Sequence, residues 1–339
     1  MRAMVYSSPL ELQMREVDPP RPGPGEVLIR VDSVGVCGSE LEGFASQSPR
    51  RKPPLIMGHE FSGIIAELGE GVEKFDIGDP VYVNPIEFCG KCDSCRRGEF
   101  PTCPNRILMS MDRAGAYADL VTAPAHRTYK FPAGLPMRAG AFVEPTAVAV
   151  RAVRLGCWNA LPSYVLVFGA GTIGILCAQV AKALGKPKVM IVDTRDDRLE
   201  FARLFVDLAA NSRCGDLRQT VRDFTDGAGF DLAIDAVGVS QTRAEAVAAC
   251  RPGGTAVWCG IHSADTSLDG RDVVLAEKVV RGTYCYMDAD FQKAADLLAA
   301  GEIEVESWTH HFPLEAAAEQ FLALTRGETD YVKAVLHPG

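Results

Sequence analysis

Two patterns of hydrophobic and polar positions divide this chain near residue 150. Before it, short apolar runs alternate with polar residues, as in VLIRV at 27–31, GIIAELG at 63–69 and DPVYV at 79–83. A period of two predicts half-buried strands. The first residues, MRAMVYSSPLELQ, alternate in the same way, and Pro19, Pro20, Pro22 and Pro24 break the chain before the next strand. Little helical periodicity is visible here, so this region reads as a β-rich domain with long loops. After it, apolar strands alternate with helical stretches: YVLVF (164–168), a helix at about 172–184, KVMIVD (188–193), a helix at about 196–204, DLAIDAV (231–237), a helix at about 241–250 and TAVWCGI (255–261). That alternation predicts a doubly wound parallel sheet with crossover helices. Near the end, FQKAADLLAAGEI (291–303) and PLEAAAEQFLALTRGE (313–328) have helical spacing, and KAVLHP (333–338) reads as a last strand. The fold class is α/β in two domains, one built from 1–150 and 285–339, the other from 151–284.

Composition narrows the function classes. The 339 residues carry a formal charge of −9, which argues against nucleic acid as a partner. No apolar run is an uninterrupted membrane span, because the longest, 165–181, contains three glycines. The start lacks the features of a signal peptide. Eleven cysteines is an odd number, and six of them are scattered through apolar or mixed segments. That is the distribution of thiols in a reducing compartment, so a cytoplasmic protein is expected.

The other cysteines carry chemistry. Cys89, Cys92, Cys95 and Cys103 fall in one polar loop at spacings of three, three and eight. Thiolates bind Zn²⁺ tetrahedrally, and a closed four-sulfur site has no position for substrate, so this site is structural. A second motif, Gly169-Ala-Gly171-Thr172-Ile173-Gly174, follows the strand YVLVF and opens a helix. The first glycine makes the tight turn, the second admits a pyrophosphate, and the third lets helix and strand pack closely. Asp193 ends the next strand, 19 residues past Gly174, where a carboxylate accepts ribose hydroxyls and repels a 2′-phosphate. NAD is therefore expected over NADP, although Arg195 and Arg198 lie close enough in sequence to soften the preference.

Three further segments, GVCGSELEGF (35–44), MGHEFSG (57–63) and FVEPTAV (142–148), are bland singly. Together with the cysteine loop, GAGTIG, Asp193 and RPGGTAVWCG at 251–260, they resemble the medium-chain, zinc-dependent alcohol dehydrogenases over nearly the whole chain, in the sorbitol, polyol and threonine dehydrogenase branch. The resemblance implies a GroES-like catalytic domain beside a Rossmann domain, two zinc ions per chain and a dimer or tetramer. It implies a catalytic zinc on Cys37, His59 and a third protein ligand, with Glu144 favoured and Glu60 its rival. Such a zinc acts as a Lewis acid on an alcohol oxygen, and Ser39 takes the alcohol proton. The hydride passes to the nicotinamide. The chain departs from the family at Glu40 and Glu42, which stand where an Asp and a His are usual. Glu40 is expected to orient the zinc-bound histidine, and Glu42 to join the proton relay. The expected activity is oxidation of a secondary alcohol, a polyol, sugar or cyclitol, with a threonine-type amino alcohol as the alternative. A zinc ribbon for nucleic acid and a zinc-free reductase are the competing classes. The net acidity speaks against the first, and the presence of Cys37 and His59 against the second.

Overall fold

The computed structural model describes every residue except 47–49 and 158–159. It falls into two compact units. The first comprises Met1–Glu144, Leu298–Ala300 and Trp308–Gly339; the second comprises Pro145–Leu297 and Gly301–Ser307.

In the first unit the opening residues fold as a hairpin, Arg2–Ser8 against Glu11–Glu16. The main sheet runs in the order Thr128–Lys130, Pro80–Val83, Glu60–Leu68, Glu26–Gly35, Lys333–His337 and Thr309–Pro313, and Leu120–Pro124 also pairs with Glu26–Gly35. The carboxyl-terminal strand thus lies against the long 26–35 strand, with Val335 opposite Gly35. Val27, Ile29, Val31, Phe61 and Ile65 from this sheet enter one core with Phe44, Tyr117 and Phe321. The Phe321 ring meets Phe44 and Tyr117 edge-on, at centroid separations of 5.3 and 5.6 Å. Offset and edge-on ring pairs add to the area they bury. They dock the helix Ala317–Arg326 on the helix Gly38–Ala45 and so fix the segment that begins at Cys37.

Three helices in this amino-terminal region exceed the expectation of little helical character: Gly38–Ala45, the single turn Asp93–Arg96, and Val143–Gly156. The first is only eight residues long. Its apolar contacts, Leu41 and Phe44, span one turn, too short for a period to register.

The second unit is a six-stranded parallel sheet in the order Leu208–Asn211, Lys188–Asp193, Tyr164–Phe168, Phe230–Asp235, Cys250–Trp258 and Val279–Gly282. In chain order this is 3-2-1-4-5-6, the doubly wound arrangement whose switch point binds dinucleotides. Among the elements that went unread in the sequence are the strand Leu208–Asn211, the helix Leu217–Phe224 and the short helix Gly270–Leu275. The strand is a half-buried edge of small residues. The helix is polar apart from Leu217, Val221 and Phe224, which pack on the sheet, and Asp216 caps it by accepting from the Arg218 and Gln219 N–H groups.

The chain leaves this unit later than the sequence boundary at 285. The helix Asp288–Ala299 stays with it through residue 297, because the fully buried Asp290 accepts from Arg154 Nη1 at 2.8 Å and from the Met287 N–H. Gln179 holds residues 301–307 to the same unit through both the N–H and the carbonyl of Glu304.

Candidate active site and metal centres

Strand pairing assembles the first centre. Gly35, at the end of one strand, is the register partner of Glu60, at the start of another. Cys37 lies two residues beyond Gly35, at the start of its helix, and His59 immediately precedes Glu60. Ligand atoms of Cys37, His59 and Glu60 therefore lie within 4.8 Å of one another. One thiolate, one imidazole and one carboxylate at that spacing suit a Zn²⁺ ion with a further position left for another oxygen. Glu144, in the first turn of Val143–Gly156, is buried but outside that mutual group.

Glu40 orients the histidine, as its position suggested. Its carboxylate is completely buried, and Oε1 lies 2.8 Å from His59 Nδ1. The Gly58 N–H donates to the same oxygen at 2.8 Å, Ser110 Oγ donates at 2.9 Å, and the Tyr117 hydroxyl donates to Oε2. Burial alone would raise the pKa of Glu40; contact with His59, the nearby charge of Arg51 and the Tyr117 bond together pull it well below the ordinary carboxylate range. A carboxylate on Nδ1 fixes the tautomer and leaves Nε2 as the metal-facing nitrogen. Among the described residues Glu42 has no side-chain hydrogen bond to Ser39 or Cys37; within its helix its carbonyl accepts from Ser46.

Lys333, on the last strand, is a member of the centre that the sequence did not disclose. Its side chain and that of Glu60 are each 2% exposed, and Nζ donates to Glu60 Oε2 and, at 2.9 Å, to the Val36 carbonyl. Gly35 makes the space: a Cβ there would lie 2.5 Å from Glu60 Oε2 and 2.9 Å from Lys333 Cε. Burial would lower the pKa of Lys333, but Glu60, Cys37 and Glu144 hold it above the usual lysine value. Were a Zn²⁺ ion held here, its charge with one thiolate, two carboxylates and one ammonium would sum to zero, which would lower the cost of burying the cluster. Beside Cys37, Ser39 Oγ lies 3.3 Å from the sulfur. Arg51, also unread in the sequence, donates from Nη2 to that hydroxyl at 3.1 Å and from Nη1 to the Ser39 carbonyl at 2.5 Å.

The cysteine loop forms a second donor set. Cys89, Cys92, Cys95 and Cys103 place their sulfurs within 4.8 Å of one another. Sulfur separations are 4.0 Å for Cys89–Cys95, 3.8 Å for Cys92–Cys103 and 3.6 Å for Cys103–Cys89. Four Zn–S bonds of about 2.3 Å make a tetrahedron with edges of about 3.8 Å. The donor set therefore has the dimensions of a zinc site and not of disulfides, and no disulfide joins any cysteine of the chain. The backbone N–H groups of Lys91 and Cys92 favour the Cys89 thiolate. Arg96 and Arg97 pair instead with Asp93 and Glu99, so their charges serve the loop surface.

In the second unit, Gly169 adopts φ +96°, and Gly174 packs so closely that a Cβ would lie 1.7 Å from the Gly169 carbonyl oxygen. Gly171 is different: the only heavy atom within 4 Å of a built Cβ is Arg198 Nη1, at 3.9 Å. That space fronts the helix Thr172–Gly185, whose first N–H groups, Thr172 and Ile173 among them, have no partner within the helix. A pyrophosphate fits such a cradle. Asp193 Oδ2 accepts the Ala170 N–H at 2.7 Å and Oδ1 accepts those of Thr194 and Arg195, which anchors the carboxylate beside the glycine turn. Arg198 lies on the same side, its pKa lowered by burial, with Asp193 acting in the opposite sense.

Comparison with known proteins agrees with both units. Residues 23–133 match the alcohol dehydrogenase GroES-like domain, and residues 172–300 match the zinc-binding dehydrogenase domain. The chain is 33% identical to an L-threonine 3-dehydrogenase of Pyrococcus abyssi, over 96% of this chain and 95% of that one. It is 34% identical to a 2-dehydro-3-deoxy-L-galactonate 5-dehydrogenase of Pseudoalteromonas atlantica, over 84% and 83% of the two chains. It superposes on a protein of Escherichia coli CFT073 described as a short chain alcohol dehydrogenase and complexed with NADH, with a TM-score of 0.91, 27% identity and 99% of each chain covered. A donor triple on a GroES-like sheet, a four-sulfur loop and a dinucleotide cradle in one chain, matched by these relatives end to end, make it a member of the zinc-dependent medium-chain alcohol dehydrogenase family.

Proposed function

We propose that this enzyme oxidises a secondary alcohol of a polyol, sugar or cyclitol to a ketone, with NAD preferred over NADP and two zinc ions per chain. The observation that carries the reading is the buried group of Cys37, His59 and Glu60 with Ser39 beside it. In this assignment Cys37, His59 and Glu60 hold the catalytic zinc. This reverses the preference for Glu144, which becomes a neighbouring carboxylate whose charge, with that of Glu60, Lys333 offsets. Cys89, Cys92, Cys95 and Cys103 hold the structural zinc. When bound, the catalytic zinc supplies Lewis acidity at the alcohol oxygen and the nicotinamide supplies the hydride acceptor.

The chain's own residues do the rest. Glu40 keeps His59 in one tautomer. Ser39 Oγ accepts the alcohol proton as its own hydroxyl proton passes on to water, and Arg51, already donating to Ser39, keeps one of its lone pairs occupied. Gly169, Gly171, Thr172, Ile173 and Gly174 cradle the pyrophosphate, and Asp193 selects the unphosphorylated ribose, with Arg198 near the cradle. The similarity to an L-threonine 3-dehydrogenase supports amino-alcohol oxidation as the second reading. A dimer or tetramer in the cytoplasm completes the proposal; the unbridged cysteines support the compartment. No helix among the described residues is long and apolar enough to cross a membrane.

Initial rates with a panel of polyols, cyclitols and amino alcohols, each with NAD⁺ and NADP⁺, test the substrate class. Elemental analysis should find two zinc ions per chain, and light scattering should give the mass of a dimer or tetramer. One zinc ion together with a fully active Cys37→Ser variant would sink the mechanism.

A further inference from the structure

Arg51 is a buried cation at this centre without a buried anion of its own. The residue is 3% exposed. Gly43 leaves room for its arm, since a Cβ there would lie 2.8 Å from Arg51 Cδ. Its hydrogen bonds among the described residues go to neutral acceptors, the carbonyl and the hydroxyl of Ser39. Nε is buried with no hydrogen-bond partner among the described residues. Glu40 feels the charge of Arg51, but its carboxylate is engaged by Gly58, His59, Ser110 and Tyr117. Burying a guanidinium without a contacting anion is costly, and a buried donor left over in a site is a place that a ligand completes. The flanking residues Arg50 and Lys52 line, with Arg106 and one carboxylate, Asp112, a cavity of about 350 Å³, so cations outnumber anions there by three to one. The same loop therefore presents positive potential to an approaching anion.

We propose that Arg51 is a specificity residue that binds an anionic group, a carboxylate or a phosphate, carried by the substrate close to the carbon being oxidised. The inference rests on the assignment of Ser39 to the substrate alcohol. Because Nη2 sits on Ser39 Oγ, a substrate hydroxyl at that serine brings the next carbons within reach of the guanidinium. Guanidinium forks match carboxylate and phosphate oxygens two at a time. The anionic group takes no part in the bond changes: the carbinol C–H would leave as hydride to the nicotinamide, and the O–H proton would pass to Ser39 Oγ as the serine releases its own hydroxyl proton to water.

The test uses zinc-loaded enzyme with NAD⁺ and three substrates of matched carbon number: a neutral alditol, the corresponding aldonate and the alditol phosphate. Wild type, Arg51→Lys and Arg51→Met are compared, and the aldonate and inorganic phosphate are also titrated calorimetrically into wild type and Arg51→Met. Wild type should favour an anionic substrate in kcat/KM. Arg51→Met should cut that preference by roughly 10- to 100-fold, the worth of a hydrogen bond to a charged group, and Arg51→Lys should restore part of it. Preference for the aldonate identifies a carboxylate, and preference for the alditol phosphate identifies a phosphate. Equal losses on neutral and anionic substrates would overturn the proposal, leaving Arg51 to position Ser39 alone; so would a wild-type preference for the neutral alditol. If none of the three is oxidised, the substrate reading above has failed. The titrations then decide separately: anion binding weakened by Arg51→Met supports the site, and equal binding in both proteins refutes it.

Discussion

Removing Lys333 measures how the charge of the proposed zinc centre is balanced. In Lys333→Met the aliphatic stem is kept and the ammonium is lost. Glu60 then remains buried, 2% exposed, without its counter-ion, and the Val36 carbonyl loses a donor at 2.9 Å. At hydrogen-bond separation and an effective dielectric of about 20, the pair attracts by about 5–6 kcal/mol. Desolvating two ions costs several kcal/mol, so the intact pair contributes little net stability while half of it is expensive. The expected loss for Lys333→Met is about 3–5 kcal/mol. Glu60→Gln should cost a similar amount, because it strands the ammonium. The double variant should be more stable than the two losses predict, with a coupling of about 3 kcal/mol. The assay is urea unfolding followed by circular dichroism, with chelator present throughout so that metal binding does not enter the cycle. Losses that add to within about 0.5 kcal/mol would refute the reasoning and show that the two groups do not share a buried charge.

Cys95→Ser should lower the zinc content from two to one per chain by elemental analysis and lower the melting temperature. Retention of both ions would dissociate that loop from zinc. Gly174→Ala must fit a Cβ 1.7 Å from the Gly169 oxygen, so NADH binding, read by fluorescence, should weaken by roughly tenfold or more while zinc is retained. Asp231 sits in the parallel-sheet unit, where burial opposes its charge but Arg251 and the Tyr164 and Ser163 N–H groups lower its pKa below the ordinary 3.8. A depressed folded value makes its stabilisation complete above about pH 3.8 and lost as the pH falls through the folded value. Asp231→Asn should therefore lose stability at neutral pH and show a shallower acid limb; an unchanged slope of stability against pH between 2 and 4 would count against this account.

Much of the fold was legible because its signals are local. YVLVF and KVMIVD are strands with the bounds read from their apolar runs, Tyr164–Phe168 and Lys188–Asp193, since both are buried on two faces. The helix Leu217–Phe224 did carry a signal, apolar residues at 217, 221 and 224, but its polar remainder hid it. At the site, the cysteine loop and the glycine turn were legible because their spacing in sequence is their geometry in space. Glu40 was readable as the partner of His59 only through the family resemblance, from its place directly after the GVCGS motif. Lys333 and Arg51 were not, because nothing in KAVLHP or RRKPP separates a buried cation from a solvated one. Their partners lie 273 and 12 residues away. Only the pairing of the last strand with the 26–35 strand, and the slot left by Gly43, reveal them. The choice between Glu144 and Glu60 stayed open in the sequence for a related reason: strand register brings Glu60 to Cys37, and register is not written in either motif.

The order in which the charges of this centre are synthesised is also an order of electrostatic states. Cys37, Glu60 and Glu144 are all translated before Lys333, the ammonium that balances them. A chain folded without its last strand would hold a concentrated negative pocket, and a divalent cation would then be the main source of neutralisation there. Zinc should stabilise that shortened chain more than it stabilises the full one. The final strand, by supplying its own positive charge, should make the cohesion of the pocket less dependent on metal. Comparing the zinc-induced rise in melting temperature of the full chain with that of a chain ending at 332 measures the difference, and an equal rise in both would show that the order of charges has no such consequence.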